Sequence, residues 1–476
     1  MTKAIFLLLA AFSIYNFFLL DKLPIVTPDE VWFANYAYSL TSKEKLSSIP
    51  FENRLPKIDE NSKIAYGPVY PLILSIPLRV LPYGLTTTRA TSIFFGALAI
   101  LVVFLLTKSL FKNNTLALLS AILLSIDPSF LLRARFVRPE ILIILFTYLS
   151  YLFYFRKKYL LTGVFISLSI FSHYFIGLIP GVVIIFHYFL NKDSLKSKNV
   201  ILLILPTIIL LIFWLFYIST QNVDTNGIWQ TVLAKRVTPN FQLLTSFPKW
   251  DTQIAITFSM YLLSFLLILI SKINTDTAIK RFCILNFLIA FTIFAFGNAV
   301  VYDGICTIPA ILCLLAISRI KYILPLFLSA LIFSNISYLL LTLNIAYPSY
   351  NSFGKVFSKD IEQNSKVLLK QTNPDPYFYL AEKRPDLKLD YFQVVNKQNY
   401  QKSLSEADYI ITHGYDLKFF EDYKKNHLPQ NFPFDLTLTE FLEANESKTQ
   451  VVTNINTPYI YNIVVIKISN PANSKD

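Results

Sequence analysis

The sequence is poor in charge and almost without cysteine. Only 15% of its 476 residues are Asp, Glu, Lys or Arg, against about 25% in ordinary soluble domains. That deficit excludes a conventional water-soluble fold for most of the chain. The three cysteines, Cys283, Cys306 and Cys313, lie in or beside apolar runs, which excludes a disulfide framework and a CxxC zinc site. No P-loop, dinucleotide-binding glycine pattern or HExxH stands in a fitting context, so nucleotide-driven and zinc chemistry are not expected. No A-x-A-like cleavage site follows MTKAIFLLLAAFSIYNFFLL, and the run is read as an uncleaved first helix.

What the chain has instead is apolar surface: 54% hydrophobic and 16% aromatic residues, with a mean hydropathy of +0.49. Runs long enough to cross a bilayer recur from Lys3 to Tyr347, after which the hydropathy falls away. The expected organisation is an all-α polytopic membrane domain over 1–347 and a small soluble α/β domain over 348–476. In the latter, 366–370, 407–413 and 459–468 read as strands and 435–445 as a helix. No catalytic signature stands out in it.

The net charge of +13 sits in the apolar part, where 28 Lys and Arg face 14 Asp and Glu; the tail holds 15 against 16. Basic loops between membrane helices explain this, and no nucleic-acid partner is expected. With Lys3 holding the N-terminus in the cytoplasm, the first helix delivers residues 21–89 to the outside as a long loop. Subsequent inward returns end at Lys108 and Lys112, at Arg156 to Lys158, at Lys192 to Lys198, at Lys272 to Arg281, and at Arg319 and Lys321. This parity gives about eleven spans and leaves the polar tail outside. It requires Val69 to Leu85, which carries Pro71, Pro77, Pro82 and Arg79, to lie on the outer surface as an interfacial helix. A true span there would invert everything after it.

Several polar groups at the outer face are candidates for chemistry. Asp29 and Glu30 follow the first helix inside an aromatic and aliphatic segment, where partial desolvation favours general-base duty. TPDE is equally a good helix N-terminus, with Thr27 as cap and Pro28 at the first position, so both readings stand. RARFVRPE supplies Arg133, Arg135, Arg138 and Glu140, and guanidinium forks match phosphate oxygens; contact with anionic lipid headgroups is the other reading. His173 lies at the outer end of the next helix but one, where a protonatable ring can meet a phosphate or simply pack. Lys235 and Arg236 form a second outer basic pair in the loop 219–251.

The succession PDEVWFANYAYSL, YGPVYPLIL, TTRATSIFFGALAILVVFLLTKSLF and LLSAILLSIDPSFLLRARFVRPEILIILFTYL resembles the GT-C class of integral-membrane glycosyltransferases. Within that class the likeness is to the protein O-mannosyltransferase and aminoarabinose-transferase branch. It runs from the N-terminus to about Gly181 and more loosely to Tyr347. The resemblance implies an inverting transfer from a polyprenyl-phosphate sugar to a lipid, glycan or protein acceptor, with Asp29 as base and Glu30 supporting. It also maps the family's Arg-Pro-Asp/Glu element onto Arg138, Pro139 and Glu140. The pattern departs from the family at Tyr66-Gly67-Pro68, where His-Pro-Pro or Lys-Pro-Pro is usual. It departs again at Ser172-His173, where Thr-Lys is common, and at Tyr302-Asp303, where Arg-Tyr is common. Tyr66 and His173 are thus the candidate phosphate contacts at positions where relatives carry cations.

The resemblance implies no cofactor and no metal requirement, and a bacterial inner-membrane location with the C-terminal domain extracytoplasmic. The rival reading is a transporter or flippase for a lipid or anionic solute. Against it stand the lack of an inverted repeat in the hydropathy and the clustering of polar groups at one membrane face. A purely structural scaffold is a third reading.

Overall fold

The computed structural model describes residues 2–22, 28–42, 67–174, 176–190, 197–220, 277–296, 358–370, 374–392, 397–413, 436–455 and 463–469. It also describes 26, 262, 265–266, 329, 332–333, 336 and 354–356. The chain gathers into two compact units. One comprises 1–19, 61–70 and 89–341; the other 20–60, 71–88 and 342–476.

The described part of the first unit is helical. Its described elements are α1 (Thr2–Phe18), most of α4 (Leu85–Phe111), α5 (Asn114–Ser125), α6 (Pro128–Arg135), α7 (Glu140–Phe155), α8 (Tyr159–Ser172), α9 (Ile179–Leu190), α10 (Ser197–Thr220) and α11 (Thr277–Phe296). α4 and α10 are long and apolar enough to cross a bilayer, rising about 40 and 36 Å at 1.5 Å per residue. On α10, Ile201, Ile204, Ile208, Ile212, Phe213 and Phe216 are exposed. A helix coated in large apolar side chains on its open face has lipid, not water, as its solvent.

The sequence predicts one span from Leu116 to Leu132, and there the structure differs. The helix breaks at Ile126 and Asp127. Asp127 is fully buried, accepts a hydrogen bond from Phe130 N at 2.8 Å and caps α6, whose first residue is Pro128. A side-chain cap followed by proline at the first helical position starts a new helix more favourably than it continues an old one. The arginines 133 and 135 therefore ride on a short separate helix.

α7 and α8 form an antiparallel hairpin across the turn Arg156 to Lys158, in which Lys157 takes a positive φ of 59°. α8 then packs on α10 closely enough that a Cβ at Gly163 would lie 2.6 Å from the Leu203 carbonyl oxygen. α7, α9 and α11 are tied by polar groups. His187 Nε2 donates to the Ala278 carbonyl at 2.8 Å, which leaves Nδ1 to accept from the Tyr154 hydroxyl at 2.9 Å. Tyr151 donates to Asn286 Oδ1 at 3.0 Å.

The second unit holds α2 (Pro28–Ser42), most of α3 (Val69–Leu78), the turn into α4, and the C-terminal residues. α3 contains Pro77, and Leu72 and Ile76 are exposed at four-residue spacing, with Val80 exposed just past its end. Such exposed apolar residues on a ten-residue helix suit an interfacial position.

The C-terminal residues build a five-stranded sheet of order β2-β1-β3-β5-β4. Its strands are β1 (Lys366–Lys370), β2 (Lys388–Phe392), β3 (Tyr409–His413), β4 (Thr449–Ile455) and β5 (Ile463–Ile468), with α12 (Pro374–Lys383), α13 (Lys397–Glu406) and α14 (Leu436–Ala444) between them. β1, β2 and β3 are parallel; β5 runs antiparallel to both β3 and β4. Leu404, Leu438 and Leu442 pack with Leu368, Ile410, Val464, Ile466 and Ile468 into one core. Central parallel strands need covered faces, and the apolar centres of β1 (Val367 to Leu369) and β3 (Tyr409 to Ile411) reflect this, while the edge strand β2 carries Lys388 and Asp390.

Candidate functional site

Within the first unit the polar groups picked out by sequence are buried. Arg133 and Arg135 sit on α6 at 5% and 2% exposure, Arg138 follows it, and Glu140 opens α7 at 2% exposure. Pro139 precedes Glu140 and leaves the first turn of α7 without a side-chain cap. Arg138 Nη2 lies 3.0 Å from Glu140 Oε1. Arg135 donates from Nε to the Leu131 carbonyl at 3.2 Å, and its guanidinium carbon lies 6.0 Å from the Tyr15 ring centre. Arg133 stands 5.8 Å over Phe136. Three guanidinium groups gathered on one short stretch in a dry setting strongly favour an anion beside them.

His173 ends α8 and is 3% exposed. Its Nδ1 accepts from Ile176 N at 3.4 Å, its amide donates to Ser169 O, and its carbonyl accepts from Gly177 N at 2.8 Å. A ring that accepts at Nδ1 carries its proton on Nε2, so neutral His173 offers Nε2–H as a donor. The short 3-10 turn Ile176–Leu178 packs on α7, the helix that Glu140 opens.

Gly67 belongs to the same neighbourhood. A Cβ there would collide with the backbone of Phe171, two residues before His173. Gly67, in one departure from the resembling family, therefore lies against the residue that immediately precedes the other, Ser172-His173.

A cavity of about 300 Å³ opens among Leu8, Phe12, Tyr15, Leu131, Ile332 and Ile336. Its lining is mostly apolar, with Ser125 and the Tyr15 ring that also faces Arg135 as the polar-bearing side chains.

In the second unit, Glu30 lies on the first turn of α2 and is fully buried, and Val31, Phe33 and Ala34 of the same helix are buried as well. Asp29 is on the same turn; its side chain, together with Tyr66, Lys235 and Arg236, lies outside the described residues. α2 is held to the turn before α4 by Tyr83, whose hydroxyl donates to Asn35 Oδ1 and whose ring lies 4.6 Å from that of Tyr38.

Sequence reasoning passed over Arg89, which is fully buried in the first turns of α4. The signal was there, since an arginine inside a 27-residue apolar helix is costly unless it is partnered. Among the described residues, no group of three or more His, Cys, Asp or Glu is placed to hold a metal ion.

Residues 65–218 match the profile of the dolichyl-phosphate-mannose-protein mannosyltransferase family. The matched stretch contains Gly67, Arg89, the arginines 133–138, Glu140 and His173, and lies beyond Asp29 and Glu30. No curated protein matches the sequence significantly. Among solved structures, the crystal structure of ArnT from Cupriavidus metallidurans bound to undecaprenyl phosphate is similar, with a TM-score of 0.63, 12% identity and 98% coverage of both chains. The apo ArnT of the same organism is similar with a TM-score of 0.50, 11% identity and 98% coverage of both chains. The resemblance read from the sequence is thus upheld: residues 65–218 carry the mannosyltransferase family's pattern, and the chain as a whole has a fold like that of the ArnT glycosyltransferase.

Proposed function

We propose that this protein is an integral-membrane glycosyltransferase of inverting mechanism, moving one sugar from a polyprenyl-phosphate donor to an acceptor at the extracytoplasmic face. The observation that carries the reading is the buried cluster Arg133, Arg135, Arg138 and Glu140, inside the stretch that matches the mannosyltransferase family. The ArnT relative in its undecaprenyl-phosphate complex supports a lipid-phosphate donor.

In this reading the acceptor hydroxyl oxygen attacks the anomeric carbon while the bond from that carbon to the phosphate oxygen breaks. Asp29 takes the acceptor proton, with Glu30 supporting it. The bond's electrons leave with polyprenyl phosphate, whose charge the arginines stabilise, and His173 Nε2–H offers a further donor. Tyr66, Lys235 and Arg236 complete the proposed phosphate-binding set. The apolar cavity beside Arg135 and Tyr15 suits part of the lipid chain. Domains are read as a membrane part over 1–347 and an extracytoplasmic part over 348–476, in a bacterial inner membrane. About eleven spans are proposed. No metal is required, so transfer should persist in EDTA.

The test is a thermal-shift screen of the purified protein in detergent against polyprenyl-phosphate sugars, for wild type and Arg138→Ala, followed by transfer assays with Asp29→Asn. One donor should stabilise wild type, lose its effect in Arg138→Ala, and support transfer that Asp29→Asn abolishes. A fully active Asp29→Asn protein sinks the proposed base. No response to any donor, with flux of a lipid or anion in donor-free liposomes, sinks the transferase in favour of a transporter.

A further inference from the structure

The C-terminal residues reach back to the start of α4, beside the acidic helix, through the carboxylate of Glu382. Glu382 stands in the last turn of α12 and is separated from Leu85 by 297 positions. Its Oε2 accepts the Leu85 amide at 2.9 Å, at the N-terminus of α4, where amides lack intrahelical partners and favour negative charge. Its other oxygen lies 2.7 Å from Lys383 Nζ, and the Glu382 side chain is only 10% exposed. The approach depends on Gly84, because a Cβ there would strike the Glu382 carboxylate.

The turn that Glu382 caps is the one that grips α2. Tyr83 bonds Asn35 and packs its ring, tilted, against Tyr38, Thr87 Oγ1 donates to Pro82 O at 2.7 Å, and Thr88 bonds the Gly84 carbonyl. α12 itself packs on α2. Residues 82–88 are thus fixed on one side by α2 and on the other by Glu382, while α12 closes the triangle.

We propose that Glu382 is a positioning residue, through which the C-terminal residues hold α2 and its acidic pair in place. The consequence for activity rests on the reading of Asp29 and Glu30 as the acids of glycosyl transfer. On that reading the sheet-bearing segment contributes no reacting group. It sets where the base stands, and small displacements of a reacting group cost rate steeply.

Hydrogen exchange of the full-length protein in detergent tests this without reference to activity. Glu382→Ala should raise exchange across 28–42 and 82–88 by about tenfold, the scale of a lost helix cap. Gly84→Ala displaces the same carboxylate from the other side and should give the same pattern, and it decides the matter if Glu382→Ala does not fold. In transfer assays both variants should lower kcat by about ten- to a hundredfold while the donor-induced thermal shift persists. Glu382→Gln, which keeps an acceptor for the Leu85 amide, should recover most of the loss. Exchange in both segments equal to wild type overturns the proposal, whatever the kinetics. Should wild type transfer no sugar at all, the reading of the acidic pair fails, and the exchange measurement still decides whether Glu382 positions α2.

Discussion

Arg138 and Glu140 form a buried ion pair, Nη2 to Oε1 at 3.0 Å, across the single residue Pro139. The proline ends α6's trailing segment and begins α7, so the two charges are held together by chain geometry as well as by attraction. Removing one partner leaves the other charged and dry. Glu140→Ala and Arg138→Ala should each destabilise the protein by about 3–5 kcal/mol, and the double variant by clearly less than the sum. Thermal melts of the three variants in one detergent measure this, and additive losses would mean that the pair is not coupled.

Gly67 has no room for a side chain beside the Phe171 backbone. Gly67→Ala should cost about 1–3 kcal/mol or more, since backbone on both sides resists the shift. On the reading of His173 as a donor to phosphate, the same variant should weaken donor binding. A melting temperature equal to wild type would refute the close approach.

The bond from Tyr154 to His187 Nδ1 joins α7 to α9, and His187 Nε2 continues the link to Ala278 on α11. Tyr154→Phe removes the donor and leaves a buried nitrogen unsatisfied, at a cost of about 1–3 kcal/mol. His187→Leu with Tyr154→Phe removes both polar ends and should recover part of that loss. Chemical or thermal unfolding in detergent distinguishes the two.

In the C-terminal segment, stability should decline on the acid side. Arg384 Nε and Nη2 donate to the two oxygens of Asp386 and Nη2 also to the Ile361 carbonyl, and the hydrogen bond from Arg384 holds the Asp386 carboxyl below its ordinary pKa of 3.8. The hydrogen bond from Lys467, together with its charge, lowers Glu362 below 4.5 and raises Lys467 above 10.5. A depressed carboxylate contributes stability above its unfolded pKa and loses it as pH falls through the folded value. The raised lysine contributes below its unfolded pKa and loses it as pH rises through the folded one. The melting temperature should therefore fall below about pH 4, with the decline weakened in Arg384→Ala. These groups are exposed to solvent and salt, so the effect should shrink at high ionic strength.

Much of the helical part was legible from residue order. Long apolar runs closed by basic residues placed α4 and α7, because a helix satisfies its own backbone bonds and its surroundings need only be apolar. β1, β3, β5 and α14 also lay close to the expected positions. β2, β4, α12 and α13 went unread: KLDYF and TQVVTNI are short, polar edge strands whose pairing is decided by neighbours distant in sequence. The break at Asp127 was readable as a cap followed by proline, but the apolar residues around it concealed the signal.

For the candidate site the division is sharper. Residue order alone determined that arginines 133, 135 and 138, Glu140, His173 and the pair Asp29-Glu30 are polar groups stranded in apolar surroundings, and stranding is a property of local composition. Only tertiary structure decided which of them share a neighbourhood: that Gly67 presses on Phe171, that Arg135 faces Tyr15 of the first helix, and that Glu382 caps a turn 297 positions away. Such contacts depend on how helices and sheet close on one another, and no spacing along the chain encodes a distance across it.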